Sequence, residues 1–190
     1  NKGVIWHLKK TLIIGTKTHP DADTIDWLPP FSDLEKYDSL IIDLTSFSKD
    51  YPRTLFKNIA MLKRAARIYI RDNKEIFCIM EKPLKILFKQ IPLNFSWIPF
   101  PQKLAVNPML FGKTMNLKDQ RFKDYMQTVE QWNNELYWTD TYNCKITEIA
   151  TNKTQKIIAA TITMNDRGKI HFLPKPAKNN SSNACLLYTS

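Results

Sequence analysis

Three side chains that could bind a metal ion or exchange protons lie within five residues of each other near the start of the chain. They are His19, Asp21 and Asp23 of the segment Thr18-His-Pro-Asp-Ala-Asp23. Imidazole and carboxylate groups are common ligands of divalent ions, but such ions need at least three ligands that converge. The same spacing is also typical of a turn whose aspartates cap the backbone. We favour the capped turn and keep metal-dependent chemistry as an alternative.

The run His19-Pro-Asp21 resembles the metal-binding run of zinc-dependent deacetylases of the PIG-L type. In that family a His-Pro-Asp-Asp sequence supplies metal ligands and the general base. This chain has Ala22 at the position of the second aspartate, and neither His7 nor His171 lies in the distal histidine motif of the family. The resemblance nevertheless implies one metal-dependent alternative, a hydrolase that uses His19, Asp21, Asp23 and Asp43.

Short apolar runs predict the strands that would position these groups. Residues 40–42 form a continuous apolar run, typical of a parallel strand buried on both faces, and residues 11–15 and 75–80 are similar. Ligands of open α/β sheets bind beyond the carboxyl ends of parallel strands. We therefore predict a crevice between the loops after the first two strands, with these candidate side chains: His19, Asp21, Asp23, Asp43, Thr45 and Ser46. For Asp43 itself we favour a capping role in the turn that follows its strand.

The spacing of apolar residues predicts the remaining elements. A helix is expected over residues 51–71, where apolar residues recur at steps of three and four. Strand, helix and strand in this order imply a right-handed βαβ unit. A second long helix is expected over residues 119–136, and hairpin-forming strands are expected over residues 142–149, 156–164 and 169–173. These elements predict a three-layer α/β fold with a mainly parallel central sheet and an antiparallel C-terminal meander.

The chain is expected to form a single α/β domain over residues 1–177, because no segment has the composition of a linker. Residues 178–190 are expected to be a disordered tail. Its last part, Ala184-Cys-Leu-Leu-Tyr-Thr-Ser190, resembles translated sequencing-adapter sequence. Because the chain also begins with Asn1 rather than Met, we expect a fragment of a longer protein.

The order of these elements resembles class I glutamine amidotransferase-like domains, whose layout is flavodoxin-like. The resemblance is carried by the strand Tyr37-Asp-Ser-Leu-Ile-Ile-Asp43, the helix and strand that follow, and the terminal strand Gly168-Lys-Ile-His-Phe-Leu-Pro174. Catalytic members hold a cysteine in a glycine-flanked turn after a strand and have a downstream His-x-Glu pair. Here no glycine flanks Cys78, and the pair is absent. The resemblance therefore implies a non-catalytic member, with Cys78 as a core thiol.

The net charge of +10 is concentrated in the middle of the chain. Residues 51–123 contain 15 Lys and Arg against four carboxylates, whereas residues 21–50 contain eight carboxylates against two lysines. The polar face of the helix predicted over residues 51–71 carries basic residues that include Arg53, Lys57, Arg64, Arg67 and Arg71. We favour a solvated outer face. The alternative is a nucleic-acid or protein partner bound through residues 51–123.

Several common activities lack their motifs in this sequence. With four glycines there is neither a glycine-rich phosphate loop nor a dinucleotide fingerprint, so ATP or NAD binding through these motifs is not supported and the cofactor is left open. No Gly-x-Ser-x-Gly elbow and no zinc-ribbon pair of cysteines occurs. No apolar run reaches the roughly 18 residues of a membrane span. Three widely spaced cysteines favour free thiols and a cytoplasmic location.

We therefore predict a non-catalytic α/β binding or accessory module of a larger protein, and we assign no catalytic residue. A nucleic-acid-associated module that uses the basic helix face is the first alternative. The metal-dependent hydrolase is the second.

Overall fold

The fold is known from a computed structural model. It describes residues 10–15, 22–25, 31–47, 51–82, 93–99, 104–108, 115–130, 132, 134–138 and 144–177. Side chains are described for all of these except residues 31–32, 47, 51–58, 93, 104–108 and 137–138. Within the described ranges the backbone forms ten strands of one mixed sheet and three α-helices. The predicted tail, residues 178–190, lies outside them.

The strands and helices follow one another along the chain. They are β1 (Thr11–Ile14), β2 (Asp23–Ile25), α1 (Phe31–Leu34), β3 (Ser39–Asp43), α2 (Tyr51–Arg71), β4 (Glu75–Ile79), β5 (Leu104–Pro108), β6 (Met115–Leu117), α3 (Lys123–Met126), β7 (Asn134–Trp138), β8 (Cys144–Asn152), β9 (Ile157–Met164) and β10 (Lys169–Leu173). Short 3₁₀ turns lie at Leu44–Phe47, Leu93–Phe95 and Gln120–Phe122.

Five parallel strands form one half of the sheet, in the order β2-β1-β3-β4-β10. In β3, Leu40 and Ile42 belong to the core cluster under α2, whereas Ile41 belongs to the cluster on the opposite face. All three side chains are 0% exposed. The prediction of a parallel strand buried on both faces is confirmed, and β3, α2 and β4 form the predicted βαβ unit.

The helix α2 covers one face of this parallel half. Its buried side chains in the described part include Leu62, Ala65, Ala66 and Tyr69. The hydroxyl of Tyr69 donates to the carbonyl of Leu34 at 2.6 Å, which anchors the second half of the helix. The opposite side of α2 therefore faces outward.

The strands β8, β9 and β10 form the predicted antiparallel meander. Along one edge β9 pairs with β8, and along its other edge it pairs with β10 and, at Ile157, with β7. The turn between β9 and β10 contains Asn165 and Asp166 at φ angles of 50° and 55°. Asn and Asp adopt this left-handed conformation more readily than most other residues. The turn residues thus explain where β9 ends.

The predicted fold class, a three-layer α/β fold with a mainly parallel sheet, is wrong. Strand predominates over helix, and the sheet is mixed. Within the described ranges α2 is the one long helix, since α1 and α3 have four residues each. The difference lies in β5, β6 and β7, which were not predicted as strands. All three pair antiparallel, so the antiparallel part of the sheet extends well beyond the predicted meander.

The predicted helix over residues 119–136 is also wrong. The chain makes a 3₁₀ turn at Gln120–Phe122 and then the single helical turn α3, before β7 begins at Asn134. The hydroxyl and the amide of Thr128 both donate to the carbonyl of Tyr125, at 2.6 and 2.9 Å, which ends the helix. The helical spacing arose because these apolar side chains cover the second face of the sheet: Phe122, Tyr125, Met126, Val129 and Trp132.

The turn between β9 and β10 approaches the end of α2 closely at Gly168. The amide of Gly168 donates to the carbonyl of Ile70 at 3.1 Å, and a Cβ on Gly168 would lie 2.3 Å from Ile70 Cα. We expect Gly168→Ala to lower the free energy of unfolding by about 1–3 kcal/mol, because backbone must shift to admit the methyl group. Urea unfolding followed by circular dichroism measures the change.

The control for this variant is Arg167→Ala in the same turn. The Arg167 side chain is exposed, so its removal should change the free energy of unfolding by less than about 0.5 kcal/mol. If Gly168→Ala were as stable as the native protein, the turn would not pack on α2 as described.

Candidate functional site

Asp43 lies at the carboxyl end of β3, between two hydroxyl side chains of the predicted crevice. Its Oδ1 accepts hydrogen bonds from the amide of Thr45 at 3.1 Å and from the Thr45 hydroxyl at 2.5 Å. Its Oδ2 accepts one from the Ser46 hydroxyl at 2.8 Å. Asp43 is only 5% exposed. The carboxylate therefore caps the 3₁₀ turn at Leu44–Phe47, which is the role favoured on sequence grounds.

Asp23 lies elsewhere on the sheet. Asp23 is the first residue of β2, whereas Asp43 is the last residue of β3. Both strands pair with β1, and their registers place Asp43 three positions further along the strands than Asp23. That offset is roughly 10 Å along the strands, and the two intervening strand spacings add roughly 10 Å across the sheet. Asp23 instead accepts a hydrogen bond from the Tyr37 hydroxyl at 2.6 Å. The pKa of Tyr37 is raised to about 12, mainly by burial and next by this hydrogen bond.

The remaining crevice candidates, His19 and Asp21, lie outside the described residues. Among the residues that the structure describes, no group of three His, Cys, Asp or Glu side chains could hold a metal ion. The structure thus brings together Asp43, Thr45 and Ser46 and keeps Asp23 apart from them.

A cluster of polar side chains that the sequence did not reveal lies where the two halves of the sheet meet. The Glu75 cluster consists of Glu75 in β4, Arg121, Thr161 in β9 and His171 in β10. Arg121 donates to both carboxylate oxygens of Glu75, at 2.6 and 2.9 Å, as a bidentate pair. His171 Nε2 lies 3.1 Å from Glu75 Oε1, and His171 Nδ1 lies 2.7 Å from Thr161 Oγ1.

The charge states in the Glu75 cluster follow from its contacts. Burial alone would raise the pKa of Glu75, but the bonds from Arg121 and His171 outweigh burial and hold that pKa well below its usual range. Burial lowers the pKa of His171, and the charges of Arg121 and Lys169 act in the same direction against the opposing effect of Glu75. Because an ionised carboxylate only accepts, Nε2 donates to Glu75 and the neutral ring accepts the Thr161 hydroxyl at Nδ1.

A hydroxyl, an imidazole and a carboxylate in series are also the parts of a nucleophilic relay. Here Arg121 engages both oxygens of the carboxylate, and the His171 ring stacks on Phe77 with 4.8 Å between ring centroids. Thr161 is 6% exposed. Since this hydroxyl is shielded from a substrate, the Glu75 cluster serves the structure by connecting β4, β9, β10 and the turn at Gln120–Phe122.

A basic surface runs along the outer side of α2. Arg64, Arg67 and Arg71 are exposed, and their spacing of three and four residues places them on one stripe. Arg167 reaches the same place from the turn between β9 and β10, where its Nη1 donates to the carbonyl of Arg71 at 3.4 Å. These four arginines define the basic surface. Two further predicted residues, Arg53 and Lys57, lie on α2, but their side chains are outside the described part.

The charge of the basic surface is only partly balanced by nearby carboxylates. Arg71 pairs with Asp72 at 3.1 Å, with 65% of the arginine side chain exposed. Among the described residues no carboxylate lies within ion-pairing distance of Arg67 or Arg167. Cations near the C-terminal end of α2 complement the helix dipole. Arg167 is not part of the helix, so this effect does not explain its position.

An open cavity of about 460 Å³ lies within the basic surface. Its walls come from α2, from Pro99, from the end of β9 and from the turn between β9 and β10. The lining combines charged or polar side chains with apolar ones: Arg67, Arg71, Asn165 and Arg167 with Ile70, Pro99 and Met164. This arginine-lined cavity can therefore offer positive charge and apolar contact to the same ligand.

Cys78 occupies the core under α2. It has no exposed surface, and burial, assisted by the charge of Asp43, raises the pKa of its thiol. The prediction of a core thiol is confirmed.

No model of a known protein family matches the chain, and no curated protein matches it. In the part of the chain that the structure describes, no helix is long and apolar enough to cross a membrane.

The free energy of unfolding is expected to depend on pH through the Glu75 cluster. In the unfolded chain His171 binds a proton below about pH 6.5, whereas in the folded protein it does so only at lower pH. Because the unfolded state then holds more protons, the free energy of unfolding falls as the pH drops below about 6.5. Glu75 adds a second loss as the pH falls below its ordinary pKa of 4.5.

The variant His171→Gln should remove the first of these losses. Between pH 7.5 and 5.5, its free energy of unfolding should change less steeply than that of the native protein, by up to about 1.4 kcal/mol per pH unit. Urea titrations at several pH values measure the slopes, and His7→Gln and His19→Gln report the contributions of the other histidines. Parallel profiles for the native protein and His171→Gln would contradict a neutral His171 in the folded state.

Proposed function

We propose that this protein is a non-catalytic binding module whose ligand is a nucleic acid, held through its phosphates on the basic surface. One observation carries the proposal: arginines from two separate parts of the chain, α2 and the turn between β9 and β10, line one cavity. If the arginines of α2 only exposed the polar face of the helix to solvent, no arginine from the turn would be needed beside them.

Phosphate is the group that this chemistry favours. Guanidinium groups bind phosphate oxygens through paired hydrogen bonds and keep their charge at neutral pH. Arg64 and Arg71 are separated by roughly 10 Å along α2, which is longer than one nucleotide step of a strand. A stripe of this length suits a chain of phosphates better than a single one. The basic excess of residues 51–123 also attracts polyanions over longer distances.

The two groups of residues that could carry chemistry have structural roles, which supports a binding function. Asp43 caps a turn, and the Glu75 cluster is closed to substrate. The metal-dependent hydrolase depends on His19 and Asp21 and stays a prediction.

A cytoplasmic location is part of the proposal. It is supported by the buried free thiol of Cys78, which suits a reducing compartment.

Neutralising the stripe on α2 tests the proposal. In the triple variant Arg64→Gln/Arg67→Gln/Arg71→Gln, affinity for a fluorescein-labelled single strand of 20 bases should fall roughly 10- to 100-fold at about 0.1 M salt. The slope of log affinity against log salt concentration should become shallower by about 2, because three phosphate contacts are lost. Fluorescence anisotropy titrations measure both quantities.

A triple variant with the same charge change provides the control. Lys118→Gln/Lys123→Gln/Lys145→Gln removes three exposed lysines. Lys123 opens α3, which covers the sheet face opposite α2, and Lys145 alternates with Cys144 and Ile146, which pack on the α2 side. The control should retain most of the affinity and the slope. Equal losses in both variants, or no binding by the native protein at about 50 mM salt, would contradict the proposed function.

A further inference from the structure

We propose that the arginine-lined cavity receives one unstacked nucleobase, so that the protein binds single-stranded nucleic acid in preference to a duplex. This inference rests on the proposed function and adds the class of nucleic acid to it. The combination of an apolar lining with arginines in one cavity is the observation behind it.

The apolar part of the cavity suits the flat face of a base. Ile70, Pro99 and Met164 are half-buried, and Ile70 and Met164 also pack against the main core. Phosphates make no use of such a surface, whereas the bases of single strands are bound through contacts to their flat faces, including stacking on the planes of arginine guanidinium groups. A ligand that only needed charge would therefore leave this part of the cavity unused.

The polar part of the cavity lies where the backbone of such a strand would run. Arg67 and Arg71 are one helical turn apart on α2, and Arg167 comes from the turn between β9 and β10. Phosphates on either side of an inserted base can thus meet arginines from different elements. The amide of Asn165 adds donors and an acceptor for the edge of the base.

Size and rigidity also fit this occupant. The volume of about 460 Å³ is within the range of small-molecule sites, about 300–1,000 Å³. The turn that forms one wall is tied to α2 by the backbone bond from Gly168 N to Ile70 O at 3.1 Å. Fixed walls reduce the entropy lost on binding.

A duplex and a single strand differ in whether a base is free to enter the cavity. The duplex presents phosphates to the basic surface, but its bases are stacked and paired, and their extrusion costs free energy. A single strand can insert a base without breaking a pair. Preference for single strands is therefore the expected consequence of filling the cavity.

Three labelled probes test this inference by anisotropy: a 12-base thymidine strand, a 12-unit strand with the same sugar-phosphate backbone but no bases, and a 12-base-pair duplex. The thymidine strand should bind at least about fivefold more tightly than the baseless strand, and both should have similar salt slopes. Equal affinity for these two strands, with the salt slope intact, would overturn the inference and leave the proposed function standing. No salt-dependent binding of any probe would overturn the proposed function itself.

A substitution in the apolar lining provides the matched variants. Met164→Gln keeps the length of the side chain but makes it polar, and should reduce the preference for thymidine over the baseless strand by at least about twofold. Met164→Leu keeps an apolar side chain and should preserve the preference. Duplex binding, which uses only the basic surface, should stay unchanged in both and so verifies that they fold. An unchanged preference in a Met164→Gln variant that binds duplex normally would contradict insertion of a base.

Discussion

An ionised carboxylate that is mostly shielded from water must be matched by positive charge and by hydrogen-bond donors, or its burial destabilises the fold. Glu75, with 19% of its side chain exposed, is under this constraint. It opens β4, which pairs with β3 on one side and with β10 on the other. Its partners come from different places, Arg121 from the second face of the sheet and His171 from β10. Thr161 of β9 bonds to the same His171. Glu75 therefore connects β4 to β10, through His171 to β9, and through Arg121 to the chain segment that covers the sheet.

The position of the basic surface follows from the same junction. Because β10 is held against β4, the turn that precedes β10 is brought to the end of α2, where Gly168 meets Ile70 backbone to backbone. Arg167 is carried with that turn to the stripe of arginines on α2. The arginine-lined cavity is thus formed by docking of a hairpin against a helix, and its charge and its apolar lining come from parts of the chain that are far apart in sequence.

Features that depend on nearby residues could be predicted from the sequence, and features that depend on distant contacts could not. The helix over residues 51–71 and the last three strands follow from apolar spacing and turn residues. Asp43 and its hydroxyl partners, Thr45 and Ser46, are close together in sequence, so their grouping could be predicted as well. The apolar residues within 119–136 have the spacing of a helix. In the structure their side chains pack on the sheet, and only one turn of α-helix forms. The partners of Glu75 are 46 and 96 residues away, so no local spacing indicates them. The fold class failed for the same reason, since strand order depends on how the C-terminal hairpins dock.

A double-mutant cycle on Glu75 and Arg121 tests most directly whether this ion pair ties β4 to the chain segment that covers the second face of the sheet. The free energies of unfolding of Glu75→Gln, Arg121→Gln and the double variant are measured by urea titration at pH 7. Each single variant should lose about 1.5–3 kcal/mol, and the double variant should lose less than their sum by at least about 1 kcal/mol. Losses that add to within about 0.5 kcal/mol would contradict the ion pair, because they would show that the two side chains stabilise the protein independently.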